Sequence, residues 1–285
     1  MSERIAIDLG NVQKTLFLPL WGRAFESKKT HPLLVDKMAL EIIGKVDYDF
    51  AEIARNTHQL TQMAWIMRST LMDRVIKKFL SKYPQGTIVN IGCGLDTTFD
   101  RIDNGSVRWV DLDLPDVIKL RRTFIHENDR RKFLATSFLD EGWLKDIGAS
   151  QKVFFMAAGV FYYFEEQVIK DFLIRLASEV PDSEILFDVC SPYGLKVANR
   201  VVIKNTGLDE KSFLKWGLSD VKTIPAWDSR LKLLATYYYF RRWNTSLSLR
   251  NKLLGLFSDF MKIQYLVHLQ LRSTSPISDN QRPPL

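Results

Sequence analysis

The chain has 285 residues, long enough for one large domain or for a domain with an appended lid. Its 46% hydrophobic and 26% charged content is that of a globular protein, and no apolar run approaches the roughly 20 residues that span a bilayer. A net charge of +7 invites a nucleic-acid partner. The basic residues, however, come as short dispersed clusters (Lys77-Lys78, Arg121-Arg122, Arg130-Arg131-Lys132, Arg241-Arg242) interleaved with acids, the pattern of a solvated surface, so no nucleic acid is expected.

In chain order, the N-terminal MSERIAIDLGNVQK lacks the basic-then-apolar pattern of a signal peptide, so a cytoplasmic location with no membrane association is expected. Residues 1–85 read as a helical cap with no convincing strand. The clearest helix carries Leu60, Ala64, Met67, Leu71, Val75 and Phe79 on one stripe and is stopped by Pro84 and Gly86. From Thr87 the texture changes to short β-rich runs: 87–91, 107–112, 132–138, 152–158 and 184–190. Amphipathic stretches separate them, among them 165–180 with Val168, Phe172, Leu176 and Val180 on one face. Strands apolar on both faces belong to a parallel sheet covered on both sides, and the βαβαβ order predicts an α/β, doubly wound core over 86–272. Further on, WGLSDVKTI predicts a turn into a strand, DSRLKLLATYYYFRRW a helical, aromatic-rich run, and MKIQYLVHLQL a good strand. Two late strands would finish the sheet as an antiparallel hairpin, with a helical substrate insertion near 226–258. The polar, proline-containing tail 273–285 is expected to be disordered, leaving one structural domain overall.

The run TIVNIGCGLDTTFDRI places Gly92 and Gly94 at the end of the first core strand, where bare backbone turns sharply and lets a ligand approach. The next strand ends in Asp111 and Asp113, 17 and 19 residues after Gly94, at the spacing of an acid that accepts hydrogen bonds from ribose hydroxyls. The competing role for these aspartates is to cap the helix that starts at Pro115, which Asp113 is placed to do. The third-glycine position of a dinucleotide loop holds Thr97, and Asp96 puts negative charge where a pyrophosphate would approach. That argues against NAD and for a cationic or zwitterionic nucleoside, of which S-adenosylmethionine is the obvious one. Cys93 and Cys190 make no disulfide framework, and the four histidines (His31, His58, His126, His268) show no paired spacing, so no metal is expected.

VNIGCGLDTTFDRI, VRWVDLDLPDVIKLRR and AAGVFYYFEEQVIKDFL resemble the leucine carboxyl methyltransferase family, in particular its branch of polyketide-synthesis O-methyltransferases. The likeness runs from about Leu20 to about Trp227. It implies a class I methyltransferase, Rossmann-like fold, with a seven-stranded mostly parallel sheet, helices on both faces and an N-terminal helical lid. It also implies that Gly92 and Gly94 line S-adenosylmethionine and that Asp113 takes the ribose, with Asp111 the weaker candidate. By the same resemblance Arg68 pairs with the cofactor carboxylate, Ser137 and Phe138 flank the adenine, and Arg23 is a second carboxylate partner. From the residues alone Arg68 reads as an exposed arginine beside a buried stripe; the carboxylate role comes with the resemblance, and a guanidinium fork suits it. One departure stands out: the family commonly has Ala-Glu-Gly where this chain has Ala157-Ala158-Gly159.

The expected activity is S-adenosylmethionine-dependent O-methylation of a carboxylate or hydroxyl on a small, aromatic or polyketide-like molecule, with the oligomeric state open. A carboxylate acceptor is ionised at pH 7 and needs no base, whereas a phenol with a pKa of about 10 benefits from one. No residue is marked as that base. Tyr162, Tyr163 and Tyr193 lie just past strand ends, where orienting an acceptor and aromatic packing are both open. The segment Trp227–Trp243 is the candidate acceptor wall, with helix-core packing as the competing role. Two alternatives remain: a non-catalytic S-adenosylmethionine-binding protein, suggested by Ala158, and a methyltransferase acting on a protein or nucleic acid, suggested by the charge.

Overall fold

The computed structural model describes residues 5–6, 16–48, 50, 54–55, 57–147, 152–203, 213–241 and 247–273. At its centre is a sheet whose first strand in the chain, β3 (Thr87–Ile91), is buried along its whole length because both faces are covered. It pairs in parallel with β4 (Arg108–Asp113) on one side and β6 (Val153–Ala157) on the other. β5 (Arg131–Ala135) extends the sheet beyond β4, and β7 (Ser183–Val189) extends it beyond β6. β9 (Tyr265–Leu271) then runs antiparallel between β7 and β8 (Leu231–Tyr238), giving the order β5-β4-β3-β6-β7-β9-β8. The chain therefore reverses its direction of travel across the sheet at β3, and the crevice outside the carboxyl ends of β3 and its neighbours is where such sheets hold ligands.

The two-residue period of the strands divides the core. Phe155 and Ala157 of β6 face one layer with Phe172, Leu173 and Leu176 of α7 (Glu166–Glu179). Phe154 and Met156 face the other with Ile66, Ile76 and Phe79 of the 24-residue α3 (Gln59–Lys82). Ahead of α3 lie α1 (Phe17–Ser27) and α2 (Lys37–Lys45), the latter capped by Asp36, whose carboxylate accepts the Ala39 N–H. These two pack with Phe133 and Phe124 over the β5 side of the sheet. The N-terminal region also contributes a two-residue parallel pair, β1 (Ile5–Ala6) with β2 (Val46–Asp47), where only helix was expected.

The remaining helices of the core are α4 (Thr98–Ile102), α5 (Pro115–Arg122), α6 (Trp143–Asp146) and α8 (Pro192–Val197). The late hairpin is present, but its first strand lies where a helix was predicted: 231–238 pairs with β9 through a bulge at Leu233/Ala235. Tertiary pairing overrides the local pattern there, and Thr236, Tyr237 and Tyr238 suit a pleated surface. WGLSDVKTI leads instead into a 3-10 turn over Val221–Ala226, capped by Asp220 and containing Pro225. Within the expected helical insertion near 226–258, α9 (Leu249–Phe260) is the helix. Residues 274–285, nearly all of the expected disordered tail, lie outside the described residues, as does Trp243.

Candidate functional site

A cavity of about 620 Å³ opens at the carboxyl ends of β3 and β6, between the glycine loop, α3 and α9. Gly92 and Gly94 line it with φ of +61° and +47°, in the left-handed region that glycine enters without penalty. A Cβ on Gly92 would stand 2.5 Å from Val160, so the turn leaves no room for a side chain. Asp113 ties the loop to β4: its Oδ2 accepts the Gly94 N–H at 2.7 Å and its Oδ1 the Leu114 N–H at 2.8 Å. Burial pushes its pKa up, and the two backbone N–H groups work against that shift.

Arg68 is buried on α3 rather than exposed, and it lines the cavity. Its Nη1 donates to Asp188 Oδ2 at 2.8 Å and reaches the Tyr162 hydroxyl at 3.5 Å. Asp188 has its other oxygen on the Gly159 N–H at 2.7 Å. Gly159 is required at this point: a Cβ there would come 3.0 Å from Arg68 Nη1 and 3.1 Å from the Tyr162 hydroxyl, at a φ of +81°. With Nη1 held from behind, Nε and Nη2 carry no hydrogen bond to a described residue, leaving two of the guanidinium's three nitrogens for a ligand oxygen. The Tyr162 hydroxyl and the cavity-lining Tyr239 hydroxyl are both pushed up in pKa, by burial first and by Asp188 second, so they stay protonated donors.

Other expected residues fall differently. Asp111 is fully buried with both oxygens engaged: Oδ2 takes Arg121 Nη2 at 2.9 Å and Arg131 Nε at 2.8 Å, and Oδ1 takes Trp109 Nε1 and Asn90 Nδ2. The structure makes it an internal anchor and not a ribose ligand. Arg121 completes that anchor by donating to the carbonyls of Gly94 and Asp96, clamping the glycine loop from beneath. Arg121 and Arg131 therefore correct the reading of their clusters as solvated surface; each is at most 2% exposed. Arg23 lines the cavity, but its Nε is committed to Asp36 at 2.8 Å and its Nη2 to the Leu95 carbonyl at 3.2 Å. The Phe138 ring packs into the core against Phe164 and Phe172, so the ring is not turned toward a ligand; the Ser137 hydroxyl accepts the Leu139 N–H. Ser137, Phe138 and Asp113 lie at the same sheet edge but outside the cavity lining.

Among the described residues of the aromatic segment, the wall is made by Tyr239 and Phe240. Tyr239 and Phe240 line the cavity with Leu254 and Phe257 of α9, while Trp227 packs against Trp216 in the core. Asp259, buried on α9, accepts the N–H groups of both Tyr239 and Phe240 and so fixes that wall. Sequence reasoning missed Asp188 and gave His58 no role, while Tyr239 was included only as part of the aromatic segment. The available signal for Asp188 was an acid inside the apolar run EILFDVC, which has to be paired when buried. His31 and His58 are both exposed, but only His58, at the N-terminal end of α3, is among the residues lining the cavity.

The residues lining the cavity fit S-adenosylmethionine: glycine backbone with no space for side chains, a guanidinium for a carboxylate and an anionic Asp96 in the loop. Among the described residues no group of His, Cys, Asp or Glu is arranged to hold a metal ion. Fold and site together are those of a class I S-adenosylmethionine-dependent methyltransferase. The model of the leucine carboxyl methyltransferase family matches residues 17–177, and the chain belongs to that family. It is 28% identical over 220 residues to the tetracenomycin polyketide synthesis O-methyltransferase TcmP of Streptomyces glaucescens, covering 76% of this chain and 79% of that one. It is 24% identical over 260 residues to the S-adenosyl-L-methionine-dependent methyltransferase dpfgK of Gibberella zeae, covering 84% and 87%. Among solved structures, a DUF574 family protein from Streptomyces avermitilis superposes with a TM-score of 0.55 at 12% identity, over 88% of this chain and 96% of that one, a likeness of fold.

Proposed function

We propose that this methyltransferase acts on oxygen, a carboxylate or hydroxyl, of a small aromatic or polyketide-like molecule in the cytoplasm. The observation that carries the proposal is a single cavity whose lining holds both the glycine loop with Arg68 and the apolar or aromatic side chains of Leu60, Tyr239, Phe240, Leu254 and Phe257. A planar apolar acceptor is recognised by such a wall through burial of its rings. The name of the Streptomyces relative supports the same substrate class. No described helix is long and apolar enough to cross a membrane.

S-adenosylmethionine supplies the electrophilic methyl group when bound. This chain's own work is positioning, because an in-line displacement demands that acceptor oxygen, methyl carbon and sulfur be collinear and in contact. In this reading Arg68 holds the cofactor carboxylate, Asp113 the ribose hydroxyls, and the backbone of Ser137 and Phe138 borders the adenine. The helices of residues 16–82 act as the cap, and the apolar wall orients the acceptor while excluding water. Tyr162 and Tyr239, held protonated, donate hydrogen bonds rather than accept protons. A carboxylate acceptor then needs no base, and His58 in the lining is the histidine placed to serve a phenol.

The test is methyl transfer from labelled S-adenosylmethionine to a panel of aromatic carboxylic acids and phenols, with peptides and RNA as comparison acceptors. Turnover of a small aromatic acceptor is expected, a base-labile product marking a methyl ester and a stable one an ether. Label appearing in peptide or RNA alone would overturn the proposal.

A further inference from the structure

Asp96 is the one carboxylate among the described residues that line the cavity. Its position is set by the glycine loop: the Thr98 N–H donates to Oδ1 at 2.9 Å and Asn90 Nδ2 to the same oxygen at 3.3 Å. No described arginine or lysine lies within ion-pair distance of it, whereas the cavity-lining Arg23 and Arg68 are paired with Asp36 and Asp188. The carboxylate is nevertheless ionised. Burial works against the charge, but the fields of Arg23 and Arg101 and the bonds from Thr98 outweigh it and hold its pKa down to about 2. The cavity thus contains a negative charge in no ion-pair contact with a described arginine or lysine, and Arg68 lines the same space.

An anion and a cation lining one cavity suit a zwitterion, and the amino-acid end of S-adenosylmethionine is one. The geometry points to Asp96 as the residue that binds the cofactor's α-ammonium group, with Arg68 taking the α-carboxylate. This rests on the reading of the cavity as the cofactor site and adds to it the group that discriminates the amino-acid end. Ala158, at the end of β6 in the same lining, contributes a methyl group and no charge, so Asp96 serves without a second acid beside it.

Calorimetric titration of the full chain with three nucleosides tests the assignment: S-adenosylmethionine, S-adenosylhomocysteine and 5′-methylthioadenosine. The first two carry the ammonium; the third has adenosine and sulfur but no amino-acid end. Asp96→Asn, which keeps the Oδ1 acceptor, is expected to raise Kd about tenfold or more for the first two and to leave the third unchanged. Asp96→Glu should retain most of the discrimination, and adding Ala158→Glu to Asp96→Asn should recover part of it, which a purely structural role would not permit. An equal loss for all three nucleosides, a loss confined to the sulfonium compound, or no loss would each overturn the assignment. If Asp96→Asn does not fold, loss of the discrimination in Asp96→Glu overturns it as well. Failure of the unmodified protein to bind any of the three would instead strike the cofactor site itself.

Discussion

Asp111 and Arg121 are both fully buried and form an ion pair, to which Arg131, Trp109 and Asn90 add bonds on the Asp111 side. A charge taken out of water is tolerated when its partner and hydrogen bonds are in place, and removing one partner leaves the other uncompensated. Arg121→Met is expected to cost about 3–5 kcal/mol in urea unfolding. It should also weaken S-adenosylmethionine binding, since the clamp on the Gly94 and Asp96 carbonyls goes with it. Asp96 makes a second residue-scale prediction. Its folded pKa of about 2 lies below the roughly 3.9 of a free aspartate, so its ionisation stabilises the fold above that range and the contribution is lost as pH falls from about 4 toward 2. Asp113, raised by burial, has the opposite sign and offsets part of this. The urea midpoint of the unmodified protein should therefore fall on acidification, and Asp96→Asn should flatten the part of that fall below pH 4.

The cavity wall is decided by elements meeting. β8 ends at Tyr238, and the next two residues leave the sheet with their N–H groups donated to Asp259 of α9. Each buried N–H left without an acceptor costs about 1–3 kcal/mol. Asp259→Ala is therefore expected to lower stability by about 2–6 kcal/mol. It should raise KM for the acceptor more than Kd for the cofactor, since the glycine loop is bonded elsewhere; steady-state kinetics beside a cofactor titration separates the two. The same junction explains why the aromatic run read as helix. Local pattern alone does not separate helix from strand in LKLLATYY, and the answer comes from pairing with β9, contributed by residues some 30 positions later.

For the whole molecule, the +7 charge looks different once folded. Arg23, Arg68, Arg121 and Arg131 are buried and bonded to acids, so part of the positive charge organises the site instead of coating the surface. The cavity joins α1 and α3 to the ends of β3 and β6, so a ligand bound in it should stabilise the fold as a unit. At 100 times Kd, linkage gives about 2.7 kcal/mol, a rise in Tm of roughly 4–5 °C for a chain of this size. A thermal-shift titration with S-adenosylmethionine checks it, and a biphasic melt in which only one phase moves would show that the helical cap and the sheet unfold separately.

Gly92, Gly94, the acids after the second core strand and the alternation of strands with helices carried the fold class and the cofactor in the sequence itself. Those features are local: positive φ, a spacing set by one βα unit and a periodicity of two or 3.6. That Asp111 would be claimed by Arg121 and Arg131 was not legible, because Asp111 and Asp113 stand two residues apart on one strand and only the family resemblance ranked Asp113 first. Nor was the burial of Arg68 against Asp188, 120 positions apart in the chain. Pairings between distant, oppositely charged groups depend on a low-dielectric interior that exists only after the sheet and helices have packed, and that is the level at which the structure decided this site.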